Sequence, residues 1–346
     1  MDATRQGLVL ALPSKGRLSD QTRTFLSECG LDIRPLGNGR EYAARLSGIS
    51  NVSVVYFRPE EIPTRIEQGD AHAGITGEDL YREYAEGPPA SCLTLAKLGF
   101  GAARLVIAVP QSWVDVSSIN DLDESAMLFH QRHGKSLRVA TKFSRLTRLF
   151  FSQRGLVEYS LVESLGATEG APSAGVADLV VDLTSTGKTM SENYLKEISG
   201  GTVLETQGCL IGSLRENLWS EPALGAFEHI IEQVEARLRA RSSLTLRFSL
   251  PSAQVNQVET NLTKKYDCVI SAHIKGGQQA DDREYIIALC SRPNLYGAVN
   301  LVRANGGLEL MVDHCEFLFG RSSPAFEAFK QMLRRRNTVV ATREMD

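Results

Sequence analysis

The fold is decided by residues 175–190, which read GVADLVVDLTSTGKTM. The first nine residues predict a buried strand that delivers Asp182 close to its C-terminal end. Small hydroxyl residues and Gly187 come next, and the chain after them has the composition of a helix start. A buried strand that passes through a short loop into a helix is the building unit of α/β proteins.

The loop from Thr184 to Thr189 has the composition of a phosphate-binding turn. Backbone N–H groups at the start of a helix have no partner within it and carry partial positive charge. Gly187 allows a positive φ and a close approach of a ligand to the backbone. Asp182, beside the loop, could accept hydrogen bonds from two adjacent ribose hydroxyls. The stretch therefore indicates a site for a ribose 5-phosphate at the C-terminal end of a strand.

Two other interpretations of this loop remain open at this point. Gly187, Lys188 and Thr189 resemble the end of a P-loop, but that motif requires a glycine five residues before its second glycine, where this chain has Asp182. A strand, a turn and a Thr-capped helix without any ligand would also have this composition.

Short apolar strands alternate with helices through the first two thirds of the chain, which predicts a parallel α/β sheet. The predicted strands are 7–13, 52–57, 73–77, 105–109, 137–140, 175–183 and 203–211. The predicted helices begin near Ser19, which with Asp20 is the candidate cap, cover 59–68 with acids in the first turn, begin at Glu78, and cover 141–153.

The pattern changes after Glu221. Apolar residues at steps of three and four predict an amphipathic helix, and residues 240–243 read as a linker. Strict alternation of apolar and polar residues over 244–250 predicts a half-buried strand. The remaining elements give the order βαββαβ, which is that of a ferredoxin-like module. They are helices at 253–265 and 295–304, strands at 268–274, 285–290 and 308–318, a turn at Gly276-Gly277, and a terminal helix at 324–336.

Bulk composition narrows the class of protein. The chain has 346 residues and a formal net charge of -3, so we expect two or three domains and no basic face for nucleic acid. Its six cysteines lack metal-site spacing and fit buried, reduced thiols of a cytosolic protein. The apolar run from Leu8 to Leu12 is too short for a signal peptide or a membrane span. We therefore expect a soluble, cytoplasmic protein.

Residues 169–190 resemble the signature segment of the ATP phosphoribosyltransferase family. The matching positions are Glu169, Gly175, Ala177, Val180, Asp182, Leu183, Thr186, Gly187, Thr189 and Met190. Four other segments resemble the same family in the same order along the chain. They are Lys15-Gly16-Arg17-Leu18, Ile75-Thr76-Gly77-Glu78-Asp79, Leu98-Gly99-Phe100-Gly101 with Arg104, and Val139-Ala140-Thr141-Lys142-Phe143 with Leu146-Thr147-Arg148. The resemblance covers residues from about 7 to about 240.

The resemblance implies a catalytic region similar to periplasmic binding proteins, with two α/β lobes around a cleft. By analogy the first lobe comprises residues 1–105 and 198–220, and the second, which carries the phosphoribosyl pyrophosphate loop, comprises 106–197. A connecting helix at 221–242 and a C-terminal ferredoxin-like domain at 243–346 would follow. In the long form of this family such a domain binds histidine as a feedback inhibitor, and the chains associate from dimers into hexamers. A purely structural or oligomerising module is the alternative.

The resemblance also implies the reaction. N1 of the adenine ring of ATP attacks C1 of phosphoribosyl pyrophosphate, and pyrophosphate leaves with Mg²⁺, in the first step of histidine biosynthesis. The transition state has oxocarbenium character at C1 and growing negative charge on pyrophosphate. The protein must therefore supply positioning and fixed positive charge rather than a nucleophile. We expect Mg²⁺ to arrive on the substrate phosphates, without a dedicated protein cage.

The matching positions give candidate roles to named residues. The expected catalytic residues are Asp182, Lys15 and Arg17. Asp182 would bind the ribose hydroxyls, and the two cations would bind phosphates. The further candidates for substrate binding are Glu169, Thr184, Ser185, Thr186, Gly187, Lys188, Thr189, Gly16, Gly77, Glu78, Asp79, Arg104, Lys142 and Arg145. The six histidines show no ligand spacing, and we expect them and both tryptophans to be surface or packing residues.

Two functions of other classes remain to be weighed. One is a non-catalytic small-molecule binding protein on the same two-lobed fold, and the other is a catalytically silent regulatory paralogue. The sequence shows neither a signal peptide nor an N-terminal helix-turn-helix, which disfavours a periplasmic receptor and a transcription regulator. The intact loop from Asp182 to Thr189 disfavours the silent paralogue.

Overall fold

A computed structural model describes residues 7–35, 43–85, 91–164, 166–275 and 282–343. The chain divides into two compact units. The first comprises the chain up to Ser27, Leu31–Phe227, and the chain from Glu327 onward. The second comprises Glu28–Gly30 and Glu228–Phe326. Within the described ranges no helix is long and apolar enough to span a lipid bilayer.

Strands and helices alternate along most of the chain. The strands are β1 (Leu8–Pro13), β2 (Ile33–Pro35), β3 (Ala43–Leu46), β4 (Val52–Phe57), β5 (Ala73–Gly77), β6 (Cys92–Lys97), β7 (Ala103–Pro110), β8 (Leu137–Thr141), β9 (Tyr159–Glu163), β10 (Leu179–Thr184), β11 (Leu195–Thr206), β12 (Gly208–Ser213), β13 (Ser243–Pro251), β14 (Val269–Lys275), β15 (Arg283–Ser291) and β16 (Leu308–Asp313). The helices are α1 (Gly16–Glu28), α2 (Ile62–Gln68), α3 (Glu78–Tyr84), α4 (Ile119–His133), α5 (Ser144–Arg154), α6 (Lys188–Glu192), α7 (Glu221–Ser242), α8 (Ser252–Tyr266), α9 (Leu295–Ala304) and α10 (Pro324–Arg343).

The first unit contains two sheets, and each includes three neighbouring parallel strands. In the seven-stranded sheet the order is β2-β3-β4-β1-β5-β12-β6. Strands β4, β1 and β5 run parallel, whereas β3 and β12 run antiparallel to their neighbours. In the five-stranded sheet the order is β11-β7-β10-β8-β9, and β10, β8 and β9 run parallel. The predicted parallel pairing is therefore confirmed for β4-β1-β5 and for β10-β8-β9, and it is wrong for the other pairs of these two sheets.

The chain crosses between the two sheets twice, once between β6 and β7 and once between β11 and β12. The two crossings are bonded to each other. The N–H of Gly208 donates to the carbonyl of Phe100 at 2.9 Å, and the N–H of Leu98 donates to the carbonyl of Gly208 at 2.8 Å. A Cβ at position 208 would lie 2.6 Å from the Phe100 ring, so a glycine is required for this approach.

The second crossing corrects two predictions. The single strand predicted at 203–211 is two strands in different sheets, separated by Gln207. Residues 198–206, assigned to the first lobe, lie in β11 of the five-stranded sheet. The polar stretch Glu205-Thr206-Gln207 and Gly208 lie inside this segment, but the sequence pattern does not record the sheet in which each part pairs.

Helix starts were the other source of error. Helix α1 begins at Gly16, which has φ of 79°, and Ser19 is buried inside the helix instead of capping it. Helix α2 begins at Ile62, so the acids expected in its first turn precede it. Helix α5 begins at Ser144 because the N–H of Phe143 is turned back onto the Thr141 hydroxyl at 2.9 Å.

The second unit is a four-stranded sheet with two helices. The elements β13, α8, β14, β15, α9 and β16 follow one another in the predicted order βαββαβ. The sheet order is β14-β15-β13-β16, and every pair is antiparallel. Apolar side chains of β13 and β15 pack against those of α8 and α9, which explains the strict alternation along β13. The predicted turn at Gly276-Gly277 lies outside the described residues.

The boundaries of this unit differ from those predicted. Helix α7 extends to Ser242 and β13 starts at Ser243, so there is no linker at 240–243. Strand β16 ends at Asp313, five residues before the predicted end. From Glu327 onward α10 belongs to the first unit, where Phe329 packs on Trp219 and Phe227 with ring centroids 5.2 and 5.4 Å apart.

Packing explains the cysteines and two of the residues for which we expected no chemistry. Five of the six cysteines are buried free thiols, and Cys315 is half-buried. His72 is buried; its Nδ1 accepts from the N–H of Val9 at 3.0 Å, so its Nε2 donates to the carbonyl of Leu218 at 2.9 Å. The Trp219 ring lies against the His72 ring at 5.1 Å. His72 is therefore a neutral packing residue, and burial lowers its pKa.

We predict that His72 makes folding sensitive to acid. Because the unfolded state takes up a proton near the usual histidine pKa of about 6.5 and the folded state resists it, the wild type should lose stability as pH falls through that value. His72→Ala should cost about 3 kcal/mol at neutral pH, through two unpaired backbone groups and lost packing, and should lack this slope. Urea unfolding of both proteins at successive pH values measures the difference, and equal slopes would contradict it.

Candidate active site

A cavity of about 420 Å³ lies in the first unit, between residues carried by its two sheets. It opens where β1, β5 and β10 end, as expected for ligand sites of α/β proteins. Its lining includes Lys15, Gly16, Arg17, Leu18, Gln21, Pro59, Glu60, Gly77, Asp79, Leu80, Gly101, Ala103, Lys142, Phe143, Leu183, Thr184, Ser185, Thr186, Thr189, Thr206, Gln207 and Gly208. Ten of the residues proposed from the sequence are thus brought together.

The loop after β10 forms one wall of the cavity and is held by its own hydroxyls. Gly187 has φ of 76°, in the left-handed region where glycine is favoured. Its N–H donates to Oγ1 of the buried Thr184 at 2.8 Å. The hydroxyl of Thr184 therefore shapes the loop, whereas the exposed Ser185, Thr186 and Thr189 are left to face the cavity.

Asp182 lies one residue before the lining part of this loop. Its Oδ1 accepts from the N–H of Leu183 at 2.8 Å. Burial raises the pKa of Asp182; the hydrogen bond from Leu183 and the charge of Lys142 oppose the rise, and Glu169 adds to it. The short helical turn that carries Glu169 contacts β10, and neither Asp182 nor Glu169 is among the residues that line the cavity.

A second acid enters the cavity from the end of β5. Asp79 is buried, and its Oδ1 accepts from the hydroxyl of Thr206 at 2.7 Å. Burial raises the pKa of Asp79, and the Thr206 hydrogen bond and the charge of Lys142 lower it in part. A Cβ at position 77 would lie 2.4 Å from the same Oδ1, so Gly77 makes room for the carboxylate.

Positive charge reaches the cavity from both sheets. Lys15 and Arg17 are exposed on either side of Gly16, in the turn from β1 into α1. Lys142 comes from the loop between β8 and α5, and its charge acts on both Asp79 and Asp182. An anion in the cavity would therefore meet cations from opposite walls.

Two arginines proposed as ligands are engaged elsewhere. The guanidinium of Arg104 makes two hydrogen bonds to Glu197, at 2.8 and 3.1 Å. The guanidinium of Arg145 donates to the backbone carbonyls of Arg82 and Ala85. Neither lines the cavity. Sequence comparison gave their positions along the chain but not the partners that hold their side chains.

Three more proposed residues also lie off the lining. Glu78 is buried and pairs with Arg82 at 2.7 Å and with Lys97 at 2.9 Å. Lys188 is exposed and pairs with Glu192, one turn along α6. Gly187 contributes through backbone shape alone.

Sequence reasoning missed Gln21, Thr206 and Gln207. Thr206 and Gln207 lie at the second crossing, and Oε1 of Gln207 accepts from the N–H of Gly99 in the first crossing at 2.9 Å. Gln21 lies on the side of α1 that faces the cavity. Gln207 lies inside the segment 203–211 that was predicted as one strand, and it is the last of three consecutive polar residues there.

We predict that the buried Asp79 carboxylate lowers the free energy of unfolding at neutral pH. Because burial disfavours its charged form, the unfolded state releases the proton first, so stability falls as pH rises through the carboxyl range. Asp79→Asn keeps an acceptor for Thr206 and should raise the free energy of unfolding at neutral pH, with the gain vanishing in acid.

Asp178→Asn is the matched control in the same urea unfolding series. Burial alone would raise the pKa of Asp178, but hydrogen bonds from Arg138 lower it below its usual value. Its amide variant should therefore be less stable than the wild type at neutral pH, the opposite sign. Destabilisation by Asp79→Asn at neutral pH would contradict the assignment.

Comparisons with known proteins show the family of this chain. The family model described as ATP phosphoribosyltransferase matches residues 58–240. A curated ATP phosphoribosyltransferase of Bradyrhizobium sp. (strain ORS 278) is 36% identical over 327 residues, covering 94% of this chain and 98% of the relative. One from Caulobacter vibrioides is 37% identical, with the same coverage of both chains.

A solved structure shows the same fold. The chain from the ATP phosphoribosyl transferase (HisG:HisZ) complex of Thermotoga maritima is 22% identical and superimposes with a TM-score of 0.50. It covers 66% of this chain and 96% of its own length. The full-length sequence relatives together with the family model show that this chain belongs to the ATP phosphoribosyltransferase family.

Proposed function

We infer that this chain transfers the phosphoribosyl group of phosphoribosyl pyrophosphate to N1 of ATP, the first step of histidine biosynthesis. The observation that carries the inference is the convergence of Lys15, Arg17, Lys142 and the hydroxyl loop Ser185–Thr189 on one cavity, in a chain that its relatives match over nearly their whole length.

We propose that the loop after β10 binds the ribose 5-phosphate. Ser185, Thr186 and Thr189 present hydroxyl donors to the cavity, and Gly187 gives the backbone the curvature that a phosphate requires. Asp182, immediately before the loop, would accept hydrogen bonds from the ribose hydroxyls. Hydrogen bonds donated by the ribose hydroxyls to the half-buried Asp182 carboxylate would also favour its charged form.

We propose that the cations of the opposite walls hold the phosphates that carry charge during the reaction. The C1–O bond to pyrophosphate breaks as the N1–C1 bond forms, so negative charge grows on the leaving group. Lys15, Arg17 and Lys142 are fixed positive groups that would stabilise this charge. The protein needs no nucleophile of its own, because adenine N1 is the attacking atom and the cavity positions it.

The proposed roles of five residues change with the structure. Arg104, Arg145, Glu78 and Lys188 are each engaged by a protein partner off the cavity lining, and we propose that they support the walls instead of touching substrate. Glu169 would act through the charge of its neighbour Asp182.

The cavity fits a magnesium ion that arrives on substrate phosphates. Among the described residues there is no cluster of three or more His, Cys, Asp or Glu side chains that could hold a metal. Two carboxylates, Asp79 and Glu60, line the cavity, and one or two are what such an ion takes from a protein. We propose that they contact the ion or its waters. The ion would supply charge neutralisation on the pyrophosphate.

The two units of the chain suggest separate roles in catalysis and regulation. We propose that the two sheets of the first unit form two lobes like those of periplasmic binding proteins, with the second lobe extended to Thr206. The second unit has the strand order of a ferredoxin-like fold, and we propose that it is a regulatory domain that binds histidine. We also propose that the chain forms a homo-oligomer.

A direct assay tests the function. Purified protein with ATP, phosphoribosyl pyrophosphate and Mg²⁺, and with pyrophosphatase to remove the product, should produce the near-ultraviolet absorbance of the adduct. Omission of either substrate should abolish the signal. No adduct from folded protein would favour a non-catalytic binding protein. The same assay with added histidine tests the regulatory proposal, for which we expect a concentration-dependent loss of rate.

Replacement of Asp182 tests the assigned site. Asp182→Ala should reduce turnover by about a hundredfold or more, because the ribose hydroxyls lose their acceptor, while the fold persists. Asp178→Ala is the matched control, since it removes a carboxylate from the same segment that is bound to Arg138 outside the cavity. Its turnover should stay within about twofold of the wild type. Wild-type turnover in Asp182→Ala would refute the assignment.

A further inference from the structure

We propose that helix α3 is a strut that fixes the separation of the two sheets across the cavity, and that Glu83 is the positioning residue that locks it. The expected effects on turnover rest on the proposed function. Arg145, which the sequence suggested as a substrate ligand, is in this proposal a part of the strut.

The first observation is a reciprocal exchange of hydrogen bonds between two helix ends. The carboxylate of Glu83, near the end of α3, accepts from the N–H groups of Arg145 and Leu146 at 2.8 and 2.9 Å. These are first-turn N–H groups of α5, which have no partner inside that helix. The guanidinium of Arg145 in return donates to the carbonyls of Arg82 and Ala85. Each helix end thus satisfies the other with charge of the favoured sign.

The second observation is that the start of α3 is also attached to the five-stranded sheet. The side chain of Leu80 packs against the core of that sheet, which includes Phe143 and Leu146. One residue earlier, the N–H of Asp79 donates to the hydroxyl of Thr206 in β11 at 3.0 Å, and Asp79 Oδ1 accepts from the same hydroxyl. Helix α3 follows β5 of the seven-stranded sheet directly, so it bridges the two sheets over its whole length.

The residues at the ends of this contact also line the proposed active site. Gly77 and Asp79, at the start of α3, line one wall of the cavity, and Lys142 and Phe143, immediately before α5, line another. Glu83 holds the first turn of α5 to α3 and therefore sets the distance between Asp79 and Lys142. A displacement of about 1 Å at a reacting centre can lower turnover by about a hundredfold.

A purely structural contact would affect stability without affecting turnover, so the test must separate the two. Asp178 provides the matched control, because its carboxylate also accepts from a backbone N–H, that of Arg138, at 2.7 Å and from a guanidinium. Both donor groups, however, belong to Arg138, which lies in β8 of the five-stranded sheet. Asp178→Asn therefore removes a contact of the same chemistry that does not bridge the sheets.

The experiment compares Glu83→Gln, Glu83→Asp, Arg145→Lys and Asp178→Asn in the full chain. Turnover and both KM values would be measured at a temperature where circular dichroism shows each variant folded. Spin labels at T24C and Q153C, exposed positions on α1 and α5, would report the distance between the sheets without substrates.

We expect Glu83→Gln to lower kcat about tenfold or more, to change either KM by less than about threefold, and to broaden the distance distribution. Arg145→Lys should behave in the same way, and Glu83→Asp should recover part of the turnover. Asp178→Asn should lower the urea midpoint but keep wild-type kcat and a narrow distribution.

The proposal is overturned by wild-type kcat in folded Glu83→Gln, by an unchanged distance distribution, or by an equal loss of kcat in Asp178→Asn. If Glu83→Gln does not fold, the same criteria apply to Arg145→Lys. An inactive wild type would refute the proposed function instead, and the distance measurement would still decide whether α3 is a strut.

Discussion

The arrangement of the catalytic unit depends on the hydrogen bonds that tie its two chain crossings together. Phe100 and Gly208 are about a hundred residues apart in sequence, yet their backbones are bonded at 2.9 Å, and Gln207 adds a side-chain bond to Gly99. Every segment that lines the cavity emerges from one of the two sheets joined at this point. The loop after β10 and the turn that carries Lys15 therefore belong to two sheets whose chain crossings are bonded to each other.

The cavity combines groups that are unfavourable for the fold when considered alone. Asp79 and Asp182 are both carboxylates whose pKa is raised by burial, and both feel the charge of Lys142. Such arrangements cluster at functional sites, because a group matched to a ligand is poorly satisfied without it. The ion pairs that remain outside the lining, such as Arg104 with Glu197, satisfy their charges fully within the protein.

The sequence predicted the local features of this protein better than the distant ones. The strand β4, the helix α9 and the βαββαβ order were predicted correctly, because each is encoded by neighbouring residues. The break at Gln207 and the partners of Arg145 were not, because they depend on segments far along the chain. The family resemblance made Arg145 a candidate for the site but could not show that its side chain binds the end of another helix.

The return of α10 to the first unit has a consequence for engineering. Phe329 completes an aromatic cluster with Trp219 and Phe227, so the last helix helps to build the catalytic body rather than the second unit, which is inserted before it. Ending the gene after α7 would remove most of the second unit together with the Phe329 ring and would expose Trp219. A minimal catalyst would therefore have to retain α10 together with the two sheets of the first unit.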